Sequence, residues 1–222
     1  MKEMVWISYI FTTKAHPLVE TPISIAVMND DKDMIIALVD LGAHLDYRLG
    51  PRDQWKSPLH LAAQHNKLKA LQTMLALGAW SNVQDLAGIN PLYYASTHGH
   101  RECAHRLLIA RANTEFFDEN GKGPLHQACL NNHDLLAWLL IDFGANMNAR
   151  NISGNTPLHI AASRNSLGCA KYLLLRGAKR DILNKAQQTA AQVAVISQSP
   201  EIVEIFHKHV DEDISTLFIL FL

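Results

Sequence analysis

The sequence predicts an all-α fold, a solenoid of about six helix-turn-helix repeats with projecting finger loops. The first observation is a proline-centred motif that recurs every 33 residues, at Pro58, Pro91, Pro124 and Pro157. The second is a Gly-Ala pair that closes most units in the same rhythm, and the third is the helical spacing of the apolar residues between these markers. Helices this short cannot bury an apolar face alone, so each repeat must pack on its neighbours.

One repeat is complete between Asn155 and Ala178. Thr156 can cap a first helix, and Pro157 follows at the position where a missing backbone N–H costs nothing. A second helix should end at Gly177, a residue that can turn left-handed. The apolar face of that second helix is formed at three- and four-residue spacing by Leu167, Ala170, Leu173 and Leu174.

The period divides the chain into an irregular lead-in over residues 1–17, a repeat domain over 18–210 and a C-terminal tail over 211–222. The predicted repeats lie near 18–53, 54–86, 87–119, 120–152, 153–185 and 186–210. The first has its proline at Pro22 and three extra residues near 49–51, and the last has Ala190 at the proline position. Arg111 once replaces the closing glycine, which predicts a strained helix end.

Both ends of the chain leave alternatives open. The apolar run over residues 4–11 resembles a secretion signal only in part, and the other interpretation is a lead-in that covers the first repeat. The apolar residues of the tail are too few to span a bilayer. They could pack against the last repeat, or they could mark an unnatural end of a fragment.

The 33-residue period, the TPLH-type motif and the closing Gly-Ala pair together resemble the ankyrin repeat. Glycines three residues before the motif proline suit a tight turn at the tip of each finger, and they are Gly88, Gly121 and Gly154. Trp55 and Gln187 depart from that rule. Short polar residues that can cap the same turns are Asp85, Asp118, Asn151 and Asn184. The resemblance implies a stack whose fingers and first helices form a concave face.

Composition and motifs indicate binding rather than catalysis. The formal charge of −1 excludes the electrostatic attraction for phosphate that nucleic-acid binders need. No catalytic motif is recognisable, so we expect no enzyme activity, no cofactor and no metal. Histidines at repeated positions suggest structural roles, and they are His60, His126, His159, His100 and His133. The three cysteines, Cys103, Cys129 and Cys169, lack CxxC spacing and should be buried, reduced thiols.

The period also predicts where a protein partner would bind. Residues of the first helices and one fingertip should line the concave face, namely Trp55, Leu61, His65, Tyr94, His98, Gln127, Asn131, Ile160 and Arg164. Trp55 and Tyr94 are the aromatic anchor candidates, although Trp55 could instead fold onto the neighbouring finger. Trp80 and Trp138 should cover apolar helix surface. A basic cluster either meets an acidic partner or offsets a helix dipole, and it comprises Arg176, Lys179, Arg180 and Lys185.

Four segments resemble a particular group of ankyrin proteins. GAHLDYR at 42–48, INPLYYAS at 89–96, DENGKGPLHQAC at 118–129 and the run over 152–195 are similar to the ankyrin region of the Shank family of postsynaptic scaffold proteins. The similarity covers about residues 21–209. It implies a cytoplasmic fragment of a scaffold at the postsynaptic density or cell cortex that links receptor complexes to the cytoskeleton.

The resemblance also implies partners. They are α-fodrin (spectrin), Sharpin and the family's own N-terminal ubiquitin-like module, which is absent from these 222 residues together with the Src-homology-3, PDZ and SAM regions. We expect the fragment to be monomeric, without nucleic-acid partners or membrane insertion. The alternative is a regulatory ankyrin protein, either an inhibitor of a kinase or transcription factor or a substrate receptor for a ubiquitin ligase.

Overall fold

The computed structural model describes residues 21–49 and 55–208, and the regular secondary structure in these ranges is helical. The chain divides into two compact units after Phe116. The first unit contains α1 Pro22–Met28, α2 Lys32–Asp40, α3 Pro58–Gln64, α4 Leu68–Ala76, α5 Pro91–His98 and α6 Arg101–Ile109. The second contains α7 Pro124–Leu130, α8 Asp134–Asp142, α9 Pro157–Arg164, α10 Leu167–Leu175, α11 Ala190–Ile196 and α12 Pro200–Lys208. The predicted all-α repeat fold is confirmed.

Several predictions made for the chain ends fall outside the described residues. They concern the lead-in over residues 1–17, the extra residues Gly50 and Pro51, and the tail over 211–222. The exact repeat boundaries stay predictions. Among the described residues, no helix combines the length and the apolar character that crossing a bilayer requires.

The first helices α5 and α9 begin as the motif predicts. Thr156 is the N-cap of α9, with its side chain accepting a hydrogen bond from the backbone N–H of His159, and Pro157 is the first helical residue. Asn90 caps α5 in the same manner through the backbone N–H of Tyr93. At the other end of the repeat, α10 ends at Leu175, two residues before the predicted Gly177, which has a φ of 85°.

A left-handed residue joins the two helices of every described repeat. The residues at this position all have positive φ, and they are Asp30, Asn66, Gly99, Asn132, Asn165 and Gln198. Five of the six are Gly, Asn or Asp, the residues that tolerate this conformation best. At most three residues therefore separate the two helices, and the pair forms a tight antiparallel hairpin.

Within each unit, first helices pack on first helices and second helices pack on second helices. Alanines of the first helices permit this close approach, since Ala62, Ala128 and Ala161 have no exposed surface. Polar side chains at the start of the second helices add links to the preceding repeat. The hydroxyl of Ser166 donates to the carbonyl oxygen of Cys129 at 2.7 Å, and that of Ser199 donates to Ala162 at 3.0 Å.

The motif histidines use both ring nitrogens, Nδ1 within their own repeat and Nε2 toward the next repeat. Nδ1 of His60 accepts from the backbone N–H of Ser57 at 3.0 Å, while Nε2 lies 2.8 Å from the carbonyl oxygen of Ile89 in the next repeat. His159 repeats the arrangement with Thr156 and with the carbonyl oxygen of Gln188. Because a carbonyl only accepts, Nε2 carries the proton and Nδ1 does not. The predicted structural role of these histidines is confirmed.

Burial keeps the rings of His60 and His159 neutral. It lowers the pKa of His60 from 6.5 to about 4, against the opposing effect of the hydrogen bond to Ile89. The pKa of His159 is lowered for the same reason. A protonated Nδ1 could not accept from the N-cap backbone, so protonation would break the link at the start of the helix.

Arg111 holds a backbone conformation that suits glycine. Its φ is 60°, whereas the equivalent residues of other repeats are glycines with φ of 85° to 95°. Replacing Arg111→Gly should raise the free energy of unfolding by about 0.5–1 kcal/mol, because the relief of left-handed strain exceeds the added entropy of the unfolded chain. Urea denaturation measures the difference.

Arg111→Ala is the matched control for this prediction. It removes the same side chain but keeps Cβ, so it should give no gain in stability. Equal effects of the glycine and alanine variants would show that backbone strain at this helix end is not the cause.

Candidate protein-interaction surface

Each finger of the second unit is folded by one short polar side chain. The Oδ1 atom of Asn151 accepts from the backbone N–H groups of Ser153 and Asn155 at 3.0 and 2.9 Å. Asp118 does the same for Asn120 and Lys122 in the preceding finger. These bonds close tight turns without help from a partner molecule, which confirms the predicted capping role.

Neighbouring fingers of the second unit are also joined to one another by their backbones. The N–H of Ile152 donates to the carbonyl oxygen of Asn120 at 2.9 Å, and the N–H of Lys185 donates to Ser153 at 2.9 Å. The guanidinium of Arg150 adds a bond to the carbonyl oxygen of Leu183 at 2.8 Å. Three successive fingers thus form one hydrogen-bonded ribbon.

The ribbon exposes one side chain from each of its fingers at an equivalent position. These side chains are Glu119, Ile152 and Lys185, which we call the tip row. Ile152 is 55% exposed although it is large and apolar. The row therefore presents an acid, an apolar group and a base in order on a rigid support. In the first unit the equivalent position is Leu86, which is 71% exposed.

Sequence reasoning missed Leu86 and Ile152. The signal was available, because each is a single large apolar residue inside a tight polar turn, in DLAG and NISG. Such a residue has no core to enter and must remain on the surface.

Five of the predicted partner-binding residues are exposed. Trp55 lies at a fingertip of the first unit, 40% exposed and with a φ of 58°, so it takes the conformation that glycine has in other fingers. The others occupy the C-terminal ends of first helices or the residue that follows, and they are His65, His98, Asn131 and Arg164. Their role in binding a partner stays a prediction.

Three other predicted residues are not available at the surface. Leu61 is 6% exposed, Gln127 6% and Ile160 7%. The expectation that they point to an open face requires correction, because α3, α7 and α9 are buried on all sides along most of their length. In these three helices only the last residue or two reaches solvent.

Tyr94 is half-buried and already engaged in a network. Its hydroxyl donates to Oδ2 of Asp85 at 2.5 Å, and Nζ of Lys56 lies 4.5 Å from the centre of its ring. Burial and the hydrogen bond to Asp85 raise the pKa of Tyr94. The ring also meets His60 edge to face at 5.7 Å. Tyr94 therefore supports the finger that contains Asp85, which makes it a poorer free anchor than predicted.

The remaining surface candidates are the basic cluster and two tryptophans, and some of them already contact other residues of the chain. Arg176 forms an ion pair with Asp142, a surface contact that contributes little to stability. Lys179 and Lys185 are exposed. Of the two tryptophans, Trp80 is exposed and Trp138 is half-buried. The basic cluster is therefore partly used within the fold.

The potential metal ligands and nucleophiles among the described residues serve the packing of the fold. No three His, Cys, Asp or Glu side chains in ranges 21–49 and 55–208 are grouped so as to hold a metal ion. All three cysteines are free and buried, as predicted. Burial raises the pKa of the Cys103 thiol to about 12, so the nucleophilic thiolate is not populated near neutral pH.

The helix pairs are stacked, their fingers are hydrogen-bonded, and the exposed fingertip residues differ from repeat to repeat. These features are typical of helical-repeat proteins that present a surface to other proteins. A family model described as ankyrin repeats (3 copies) matches residues 59–151 and again 134–216. The chain belongs to the ankyrin-repeat family. Ankyrin repeats generally mediate protein–protein interaction and are not catalytic. No curated protein matches the chain significantly.

Proposed function

We propose that this chain is a non-catalytic protein-interaction domain that binds its partner through the fingertips. The observation that carries the proposal is the tip row, in which Ile152 stands exposed between an acid and a base on three fingers joined by backbone hydrogen bonds. An exposed apolar side chain on a rigid support is a favourable anchor, because little conformational entropy is lost when it is buried.

The tip row also indicates the chemistry of the partner. Glu119 suits a basic group, Ile152 an apolar side chain and Lys185 an acidic group, in that order along the contact. The exposed ends of the first helices, Asn131 and Arg164, offer further polar groups in the same unit. Because the fingers are already hydrogen-bonded, binding should involve little change of the backbone.

The finer proposal is that the domain belongs to a Shank-like scaffold. It is supported by the segments at 42–48, 89–96, 118–129 and 152–195 that resemble that family. The proposed partners are then the spectrin repeats of α-fodrin, and Sharpin. The proposed location is the cytoplasm at the postsynaptic density or cell cortex.

The test is a direct binding measurement with purified spectrin-repeat fragments of α-fodrin and with Sharpin. Ile152→Asp should lower the affinity of the bound partner at least about tenfold, equivalent to about 1.4 kcal/mol. Leu135→Asp is the matched control, since Leu135 is 53% exposed but lies on the second helix α8. It should leave the affinity unchanged.

The outcomes separate the two levels of the proposal. Binding of neither protein by the unaltered chain contradicts the Shank-like assignment. Binding that Ile152→Asp and Leu135→Asp affect equally contradicts the role of the tip row.

A further inference from the structure

The last described repeat leaves an apolar groove uncovered by the described residues. Val195 and Ile196, at the end of α11, are 62% and 63% exposed. Next to them lies a groove of about 640 Å³, lined mainly by Ala194, Val195, Ser199, Pro200, Val203 and Glu204. We call it the terminal groove.

Comparison with the preceding repeat shows what kind of surface the groove is. The residues 33 positions before Val195 and Val203 are Ala162 and Ala170, and neither has any exposed surface. The last repeat covers that region, with the hydroxyl of Ser199 donating to the carbonyl oxygen of Ala162. The terminal groove is therefore a stacking face.

A stacking face at the end of an array normally has polar residues, because it meets water. Here the two alanines are replaced by larger apolar valines. Val195 is 62% exposed and Val203 is half-buried, so leaving this face in water forfeits part of the burial free energy that their side chains could gain. The composition of this face thus indicates a surface built to be covered.

We propose that residues 214–222 of the same chain occupy the terminal groove. This segment, ISTLFILFL, contains seven apolar residues among nine and lies outside the described residues. Five residues, 209–213, connect it to the end of α12 and can span up to about 17 Å. The groove residue Val203 lies five residues before the end of α12, a distance of roughly 8 Å along the helix. The connection is therefore long enough for the segment to return.

The intramolecular occupant is favoured over a second copy of the chain, because attachment through five residues gives the segment a high effective concentration at the groove. A second copy would reach the groove only at the concentration of the protein in solution, which is lower.

The test compares variants of the full chain by hydrogen-exchange mass spectrometry and thermal unfolding. Phe218→Asp combined with Phe221→Asp should increase exchange in peptides covering residues 190–206 and lower Tm by about 5 °C. Ser215→Asp combined with Thr216→Asp adds the same charge to the same segment and is the matched control. It should change neither quantity.

A double-mutant cycle tests the contact itself. Val195→Asp should lower Tm in the unaltered chain and have no effect when Phe218→Asp and Phe221→Asp are already present. Additive effects would overturn the proposal, as would unchanged exchange in the phenylalanine variant. A concentration-dependent dimer in light scattering that Val195→Asp abolishes would assign the groove to a second copy and would also overturn it.

Discussion

Acidification from pH 7 to pH 4 is expected to remove about 3 kcal/mol of stability through His60 alone. The ring is fully buried, and burial lowers its pKa from 6.5 to about 4. Between these values the unfolded chain binds a proton that the folded chain does not. The stability from the neutral ring is therefore complete above pH 6.5 and is lost as the pH falls to about 4.

The control for this prediction is present in the chain. In the last repeat the histidine position is occupied by Gln192, whose Oε1 accepts from the backbone N–H of Thr189 at 2.9 Å. His60→Gln should keep the N-cap bond but lose titration, so urea denaturation at several pH values should show a flatter profile for this variant. Parallel profiles for His60→Gln and the unaltered chain would contradict the assignment.

The repeat architecture could be predicted because its signals are local and recur. The motif proline sets the start of the first helix, and the closing glycine marks the end of the second, as at Pro157 and Gly177. The histidine of the motif recurs at the same place, and its role follows from that repetition. Each signal rests on a backbone requirement that neighbouring repeats share.

The interaction surface was harder to predict, because exposure depends on packing between repeats. Leu61 and His65 are four residues apart and lie on one side of the helix, yet the first is buried and the second exposed. When neighbours cover a helix on all sides, a residue is exposed only if it lies near the end of that helix. The helical spacing of a sequence predicts which side a residue faces, but it does not predict how far the covering neighbours extend along the helix. Tyr94 was misjudged for a similar reason, since its bond to Asp85 joins a helix to a finger nine residues away.

Stability and recognition are coupled in the fingers. The backbone bonds that align Glu119, Ile152 and Lys185 are also bonds between repeats. A change that separates two fingers should therefore disturb the tip row without altering any of its side chains. The glycine at the tip of the middle finger permits a test of that coupling.

Gly154→Ala is expected to lower the free energy of unfolding by about 3 kcal/mol. The φ of Gly154 is 74°, which costs an alanine roughly 1–2 kcal/mol. An added Cβ would also lie 2.9 Å from the backbone nitrogen of Lys185, the atom that donates to Ser153, and relieving such overpacking costs typically about 1–3 kcal/mol. The two fingers must separate to admit the methyl group. Urea denaturation measures the loss, and exchange of the Lys185 amide reports the broken bond.

Gly88→Ala distinguishes the two contributions. Gly88 has nearly the same φ, 75°, but no atom lies within 4 Å of its added Cβ, so this variant should lose only the roughly 1–2 kcal/mol of backbone strain. Gly154→Ala should in addition weaken partner binding, because displacement of Lys185 breaks the order of acid, apolar group and base in the tip row. Equal losses of stability in Gly154→Ala and Gly88→Ala would contradict this prediction. They would mean that the close contact between the fingers at Gly154 does not hold the tip row in place.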